Sequence, residues 1–394
     1  MPDIPNTPNT PNRPNTPRPN PQRRKRRRRK YQRQKNMLIA LCALLAVILV
    51  VLILVTAFAE HWLGLINRDE TRGTLSSSEL ENLYGPDETT DPNWSGREET
   101  EPTWTTVPPE TIFSGEEYVN ILLIGQDRRW NEKVGRSDAM VLVTFNKNTN
   151  SIYMTSFMRD LYVQIPGYKD NRINAAFPIG GMPLLKDTIQ HNFGVPVDGC
   201  VVVDFFRFPE IVDMLGGLDL ELTQKEADYL NKNGNWGLAA PGSDWTLTAG
   251  VNHMTGEQSL AYSRIRYIDS DFQRTSRQHN VLMALIAKVK DMSVTDAMGL
   301  LDQFLPMVTT DMSNKDILVH VASLFPMLAT SEFKTQRVPE WGSYENVKIN
   351  GMAVLLPDLA KIRQSLIDTL HYDSYINNTS NTTISSSTGT KVTE

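Results

Sequence analysis

The sequence predicts an α/β fold, a layered α-β-α domain with a mixed central sheet, preceded by one N-terminal transmembrane helix. Three observations carry this reading. Short apolar runs of strand length are interspersed with longer stretches of helical period. Two of those runs are joined by the turn-forming Asn146-Lys147-Asn148-Thr149-Asn150, which makes them an antiparallel pair. Ahead of them all, residues 37–59 form an unbroken apolar stretch without a charged side chain.

From the N-terminus, residues 1–36 hold twelve Lys/Arg against the single acid Asp3, while the whole chain has a formal net charge of −5. The remainder is therefore strongly acidic, and the modest overall charge hides two opposite halves. Pro-Asn-Thr-like repeats and the basic block predict a disordered cytoplasmic tail. At 1.5 Å per residue, residues 37–59 reach roughly 34 Å, enough to cross a bilayer. Ala57-Phe58-Ala59 is only a weak cleavage signal, so the span is expected to stay as an anchor. Arg23 to Lys30, just before it, places the N-terminus in the cytoplasm and the rest of the chain outside. The same position makes anionic lipid a better partner for this block than nucleic acid.

Residues 60–114, rich in Thr, Ser, Glu and Pro, are expected to form a disordered extracytoplasmic spacer, with Trp94 and Trp104 incidental to it. Only Cys42 and Cys200 occur, and Cys42 lies in the span. A disulfide within the exported domain is therefore excluded, which fits a bacterial surface.

The folded domain is expected over 115–376. Strands are predicted at 119–124, 140–145, 151–157, 199–205 and 218–222. Helices are predicted at 183–192, 208–215, 256–263 and 271–292, then at 297–305, 314–324 and 358–370. Of those last three, the first two are expected to stop at Pro306 and Pro326. Residues 377–394 read as a disordered Ser/Thr tail.

The chemistry-bearing residues are arginines and aspartates. Arg264 and Arg266, two apart, share a face if extended, and Arg274, Arg277 and Gln278 share one face of a helix. Forked guanidiniums so placed suit one phosphate-like group. Asp127 and Asp138 fall at strand ends, where α/β folds assemble sites. They read either as a Mg²⁺ pair or as loop acids paired with neighbouring arginines. Arg159 closes a strand and Arg172 lies in the following loop. No Walker loop, CxxC or HExxH is present, and the six histidines lack metal-ligand spacing.

Taken in order, these residues resemble the LytR-CpsA-Psr (LCP) family of membrane-anchored cell-wall glycopolymer ligases. The matching pieces are Asn120-Ile121-Leu122-Leu123-Ile124-Gly125 into Asp127 and Arg129, then Arg136-x-Asp138, and Arg159-Asp160-Leu161-Tyr162-Val163. They continue through Arg172-Ile173-Asn174-Ala175-Ala176-Phe177, Leu247-x-x-Gly250, and Met254-Thr255-Gly256-Glu257-Gln258. The last piece is Arg264-x-Arg266 with Asp271, Arg274, Arg277 and Gln278. Met158, Ala139 and Ser259 depart from the family's usual proline, threonine and alanine, without removing a charge.

The resemblance implies a phosphotransferase outside the membrane. It would move a glycopolymer (teichoic acid, capsule or related) from a polyprenyl pyrophosphate carrier to peptidoglycan. Asp127 and Asp138 would hold Mg²⁺, and Arg136, Arg159, Arg172, Arg264, Arg266, Arg274, Arg277 and Gln278 would bind the pyrophosphate. Arg159 and Asp271 would act in catalysis, Asp271 as the favoured of the two acids 269 and 271, with Asp138 and Asp127 as the alternative general bases. A non-catalytic binder of anionic lipid-linked polymer uses the same arginines without needing the aspartates. A pyrophosphatase that only trims the lipid is the third reading.

Overall fold

The structure, a computed structural model, describes residues 59–68, 75, 97–99, 102, 104, 115–127, 135–233, 245–265, 268–269 and 271–369. The chain divides into two compact units, Met1–His61 and Trp62–Glu394, and the sheets with their helices lie in the second. Among the described residues no helix is long and apolar enough to cross a membrane. The expected span lies outside them except for Ala59, as do the basic tail and the C-terminal tail.

Six strands build the main sheet. They are β2 (Tyr118–Asp127), β3 (Arg136–Asn146), β4 (Ser151–Phe157), β7 (Gly199–Asp204), β10 (Val308–Thr310) and β11 (Glu332–Val338). Their order is β10-β7-β2-β3-β4-β11. The β2–β3, β3–β4 and β7–β10 pairs are antiparallel, and β2–β7 and β4–β11 are parallel, so the sheet is mixed.

Alternation along the strands decides which side chains meet which layer. Leu122, Ile124, Met140, Leu142 and Tyr153 pack with Leu185, Ile189 and Phe193 of helix α1 (Ala176–Phe193). Val119, Ile121, Phe145 and Ile152 face the other way and pack with Leu324 and Met327. Those two belong to helix α7 (Asn314–Thr330). Helix, sheet and helix thus form three layers.

A satellite cluster carries the remaining helices. The hairpin β8 (Leu218–Leu222) and β9 (Gly250–Met254) packs with α3 (Gln224–Asn233), α4 (Gly256–Ser263) and α5 (Asp271–Asp291) around Leu220, Leu230, Met254, Tyr262 and Val281. Helix α2 (Phe208–Met214) joins this cluster through Val212 and Phe208, and α6 (Val294–Phe304) follows α5. A short hairpin of β5 (Tyr162–Val163) and β6 (Asn171–Arg172) follows β4. Residues 359–369 form the last helix, α8.

Several expectations are corrected. Pro326 lies inside α7 and does not end it. Leu324 and Met327, buried on either side of the proline, hold the helix on the sheet and outweigh the lost backbone hydrogen bond. In the expected spacer, β1 (Arg97–Glu99) pairs in parallel with β12 (Tyr344–Ile349). Trp104 stacks on Tyr162 at 6.3 Å between centroids and donates its Nε1–H to Asp170 at 2.5 Å. Asn67 bridges to Thr309, supplying a backbone partner to the short edge strand β10.

The chain from 332 to 357, predicted without structure, holds β11, β12 and β13 (Met352–Pro357). β11 is a polar edge strand, Glu-Phe-Lys-Thr-Gln-Arg-Val, and offers no apolar run. β12 and β13 turn at Asn350-Gly351, both with positive φ, 51° and 78°. That Asn-Gly is a hairpin signal available in the sequence.

Candidate anion site at the sheet edge

The topology brings four chain ends to one edge of the sheet. β2 and β7 finish there side by side, β3 starts there, and β4, antiparallel to β3, finishes there. In the β2–β3 ladder Gly125 pairs with Ala139 and Gln126 with Ser137, so Asp138 is the extra residue of a β-bulge. Bulges re-aim side chains, and this one turns Asp138 out of the regular alternation. Gly125 is needed opposite it, because a Cβ there would lie 2.5 Å from Cε1 of Phe205.

Asp138 is the centre of the site. Its Oδ2 accepts from Nη1 of Arg159 at 2.7 Å and its Oδ1 from Nδ2 of Asn174 at 3.4 Å. The two ionic side chains, Arg159 and Asp138, are 12% and 19% exposed, so the pair is only lightly screened. Burial pushes the Asp138 carboxyl up, but the charges of Arg159 and Arg274 and the hydrogen bonds from Asn174 and Arg159 more than reverse this. The group is held below the usual carboxylate range and is an anion at neutral pH.

Arg159 also lies 3.6 Å from Asp160, which meets Nε of Arg172 at 3.6 Å. Arg274 reaches the site from the first turns of α5 and is itself buried. Asp127, at the end of β2, takes Arg264 Nη2 at 3.3 Å, and that guanidinium sits 5.9 Å over the Phe205 ring. Arg136 lies directly across the ladder from Asp127.

Two of the expected pyrophosphate arginines hold the protein together as well. Arg172, almost fully buried, donates Nη2 to the Ala353 carbonyl of β13 at 2.9 Å, tying β6 to the second sheet. Arg277 is closed in by two acids. Its Nε donates to Glu226 at 2.6 Å, Nη1 to Asp269 at 3.1 Å and to the Ile265 carbonyl at 3.2 Å, and Nη2 to Asp269.

Burial pulls the Arg277 pKa down, and Asp269 and Glu226 more than restore it. Burial likewise raises Glu226, which the Thr223 backbone and side-chain hydrogen bonds and Arg277 bring below its ordinary value. Asp269 is thus the acid seen against an arginine. Asp271 opens α5, but its side chain lies outside the described residues, as does Arg266 altogether. Gln278 is half-buried on α5.

Four residues at or around this edge escaped the sequence reading as site members. Asn174 lies in the quoted Arg-Ile-Asn motif, and its spacing was the signal. Glu226, on a helix that was not predicted, was hidden with that helix. His279 meets Ser156 of β4 in a short hydrogen bond and is half-buried. Burial, then the charge of Arg337, lowers its pKa. Arg337 lies on the unpredicted β11.

As donors, Asp127 and Asp138 suit a hard divalent cation. Both are carboxylates on neighbouring strand ends, and each has more acceptor sites than its arginine uses. Among the described residues no cluster of three or more His, Cys, Asp or Glu forms a metal site. A cation here would be one that keeps water or substrate oxygens in its shell.

Known proteins share this outline. The chain is similar to the polyisoprenyl-teichoic acid–peptidoglycan teichoic acid transferase TagU of Bacillus cereus, 36% identical over 45% of this chain and 55% of that protein. It is also similar to the corresponding TagT of Bacillus subtilis, 35% identical over 47% of this chain and 59% of that protein. The matched stretch therefore spans just over half the length of these relatives. The solved structure "TagT bound to LIIa-WTA" matches with a TM-score of 0.52 at 28% identity, over 66% of this chain and 91% of that one. A model of the LytR_cpsA_psr family matches residues 87–367. That match starts ahead of β1 and runs into α8, taking in the whole sheet edge, so the chain belongs to the LytR_cpsA_psr family.

Proposed function

We propose that this chain is a glycopolymer–peptidoglycan phosphotransferase. It takes a glycopolymer (teichoic acid, capsule or related) from a polyprenyl pyrophosphate carrier and joins it to peptidoglycan through a phosphodiester. The observation that carries the reading is Asp138, ionised at a bulge, under two guanidiniums and an amide. Around it, Arg159, Arg172 and Arg274 gather with Asp138 and Asp160. Guanidiniums so gathered suit a pyrophosphate.

In the reaction an acceptor hydroxyl attacks the phosphorus that bears the glycan. A P–O bond forms, the P–O bond to the second phosphate breaks, and polyprenyl phosphate leaves. The hydroxyl proton passes to a carboxylate, for which Asp271 is the candidate. Charge on the transferring phosphoryl group is spread over its equatorial oxygens, so catalysis is mostly positioning and charge stabilisation. Arg159, Arg264, Arg266 and Arg274 supply that stabilisation, with Arg136, Arg172 and Gln278 completing the surround. Arg277 fixes the turn at Asp269 and so the placement of the arginine-bearing segment.

Mg²⁺ belongs to the proposal, held by Asp127 and Asp138, where it would neutralise pyrophosphate charge. So does the topology: a single-pass bacterial membrane protein with its N-terminus in the cytoplasm and the domain outside.

The test is transfer of glycan from a synthetic prenyl pyrophosphate glycan to peptidoglycan fragments by the purified full-length protein. Asp138→Asn is expected to lower the rate by about 10²-fold or more while the protein stays folded. Wild-type transfer is expected to stop on chelation and return with Mg²⁺. Unchanged transfer by the variant refutes the assignment. Polymer released free into solution identifies a pyrophosphatase, and binding without product a non-catalytic binder.

A further inference from the structure

Beside the arginine site lies a second constellation that the proposed chemistry does not use. Arg337, the penultimate residue of β11, pairs in register with Ser156, and the Val338 carbonyl accepts the Met158 N–H at 2.8 Å, one residue before Arg159. Its guanidinium lies 4.3 Å over the ring of Phe272. Phe272 is in the first turn of α5, two residues before Arg274. Arg337 is therefore tied to the site by a strand on one side and by a helix on the other.

The Arg337 guanidinium has no acid and no hydrogen-bond partner among the described residues, and its Nε is buried. Among the described residues, Arg159, Arg172, Arg264 and Arg277 each meet a carboxylate. A half-buried cation supported only by an aromatic face is an anion site waiting for its anion. Burial lowers its pKa, which is the direction an uncompensated cation shows.

Next to it stands an aromatic platform. The Phe272 and Tyr344 ring centroids are 5.2 Å apart, and Trp341 makes a T-shaped contact with each at 6.3 Å. Trp341 is 83% exposed, the most open large apolar side chain among the described residues. Most of the indole is therefore left to solvent. An exposed indole with a guanidinium and a phenol in the same aromatic cluster suits the apolar face of a pyranose bearing polar substituents. It is too small and too polar-rimmed for a protein docking patch.

We propose that Trp341, Tyr344 and Arg337 form a sugar subsite, which takes a pyranose on Trp341 with an anionic group beside it on Arg337. This rests on the phosphotransferase reading, and two substrates of that reaction offer the chemistry. One is the first sugar of the donor, with its pyrophosphate as the anion. The other is an acidic sugar of the acceptor, with its carboxylate as the anion.

The experiment measures binding, not turnover, with full-length protein in detergent. The probes are octaprenyl pyrophosphate without sugar, the same lipid carrying one N-acetylhexosamine, and a peptidoglycan disaccharide with a free carboxylate. Trp341→Ala is expected to weaken one of the two sugar-bearing probes by about tenfold or more, and to leave the sugar-free lipid and the melting temperature unchanged. Trp341→Tyr should recover most of the loss. Whichever sugar probe responds names the source.

Arg337→Gln should weaken both lipids if the donor is the source, and only the disaccharide if the acceptor is. The proposal is overturned if Trp341→Ala changes no probe or weakens all three alike, or if Arg337→Gln changes none. Should wild-type protein bind neither lipid, it is the phosphotransferase reading that fails instead.

Discussion

Arg274 and Arg277 stand less than one turn apart on the same helix, both almost fully buried, yet they belong to opposite environments. Arg277 has two carboxylates, Glu226 and Asp269, and its donors are used within the chain. Arg274 acts with Arg159 on the carboxylate of Asp138. The first group sets two acids on one arginine and uses its donors within the chain. The second sets two arginines on one acid at the strand ends where the anion site is proposed. Burial alone does not separate these two arginines; the groups each acts on do.

The largest expected effect would break this comparison outright. Arg277→Ala leaves Glu226 buried without its cation, and is expected to destabilise the domain by about 3–5 kcal/mol. Arg274→Ala leaves Asp138 its Arg159 partner at 2.7 Å, and is expected to cost less stability while abolishing transfer. Denaturant melts of the two variants check this. Equal stability losses would erase the distinction between the two arginines.

A smaller effect sharpens it through pH. Asp138 and Glu226 both have lowered folded-state pKa values. Their contribution to stability is full above the ordinary carboxylate pKa and is lost as pH falls through the lowered folded value. Stability is therefore expected to be flat near neutrality and to fall only on acidification. In an Arg277→Met variant Glu226 loses a lowering influence, so its share of the acid loss should shrink and be complete at a higher pH. An acid titration of melting temperature reads it; an acid loss of unchanged size and range would contradict the triad.

The smallest effect is a control. Arg207 and Glu210 form an exposed ion pair at 2.9 Å, with side chains 56% and 50% exposed. Arg207→Ala is expected to change stability by less than about 1 kcal/mol and to leave transfer intact. A loss comparable to that of Arg277→Ala would show that acid count and burial are not what matters.

Much of the fold was readable from local pattern. The strand 151–157, the strand 218–222 and the helix 256–263 have the boundaries the sequence predicts. The α4 start carries a capping box, with Thr255 and Gln258 bonded reciprocally. What was missed has physical causes. β11 is a polar edge strand without apolar alternation, and α3 is amphipathic but short. The spacer tryptophan Trp104 is polar-tethered to Asp170 by a contact 66 residues away. Pro326 is carried inside a helix by packing that no local rule contains.

The same division holds for the site. Asp127, Asp138, Arg159 and the arginines from 264 to 277 could be picked out by residue type and spacing, because forked cations and strand-end acids are local features. The sequence by itself also determined an apolar stretch of bilayer length, an Arg-rich N-terminus and several strands and helices of the domain, among them β4, β8 and α4. Only the tertiary structure decided which acid each arginine meets. Glu226 reaches Arg277 across 51 residues and Asp127 reaches Arg264 across 137. Periodicity reports how a segment presents its own side chains, whereas charge pairing depends on which segments the sheet order places side by side. The bulge at Asp138 and the Arg337 guanidinium over Phe272 are products of that order, and they set where the anion is expected to sit.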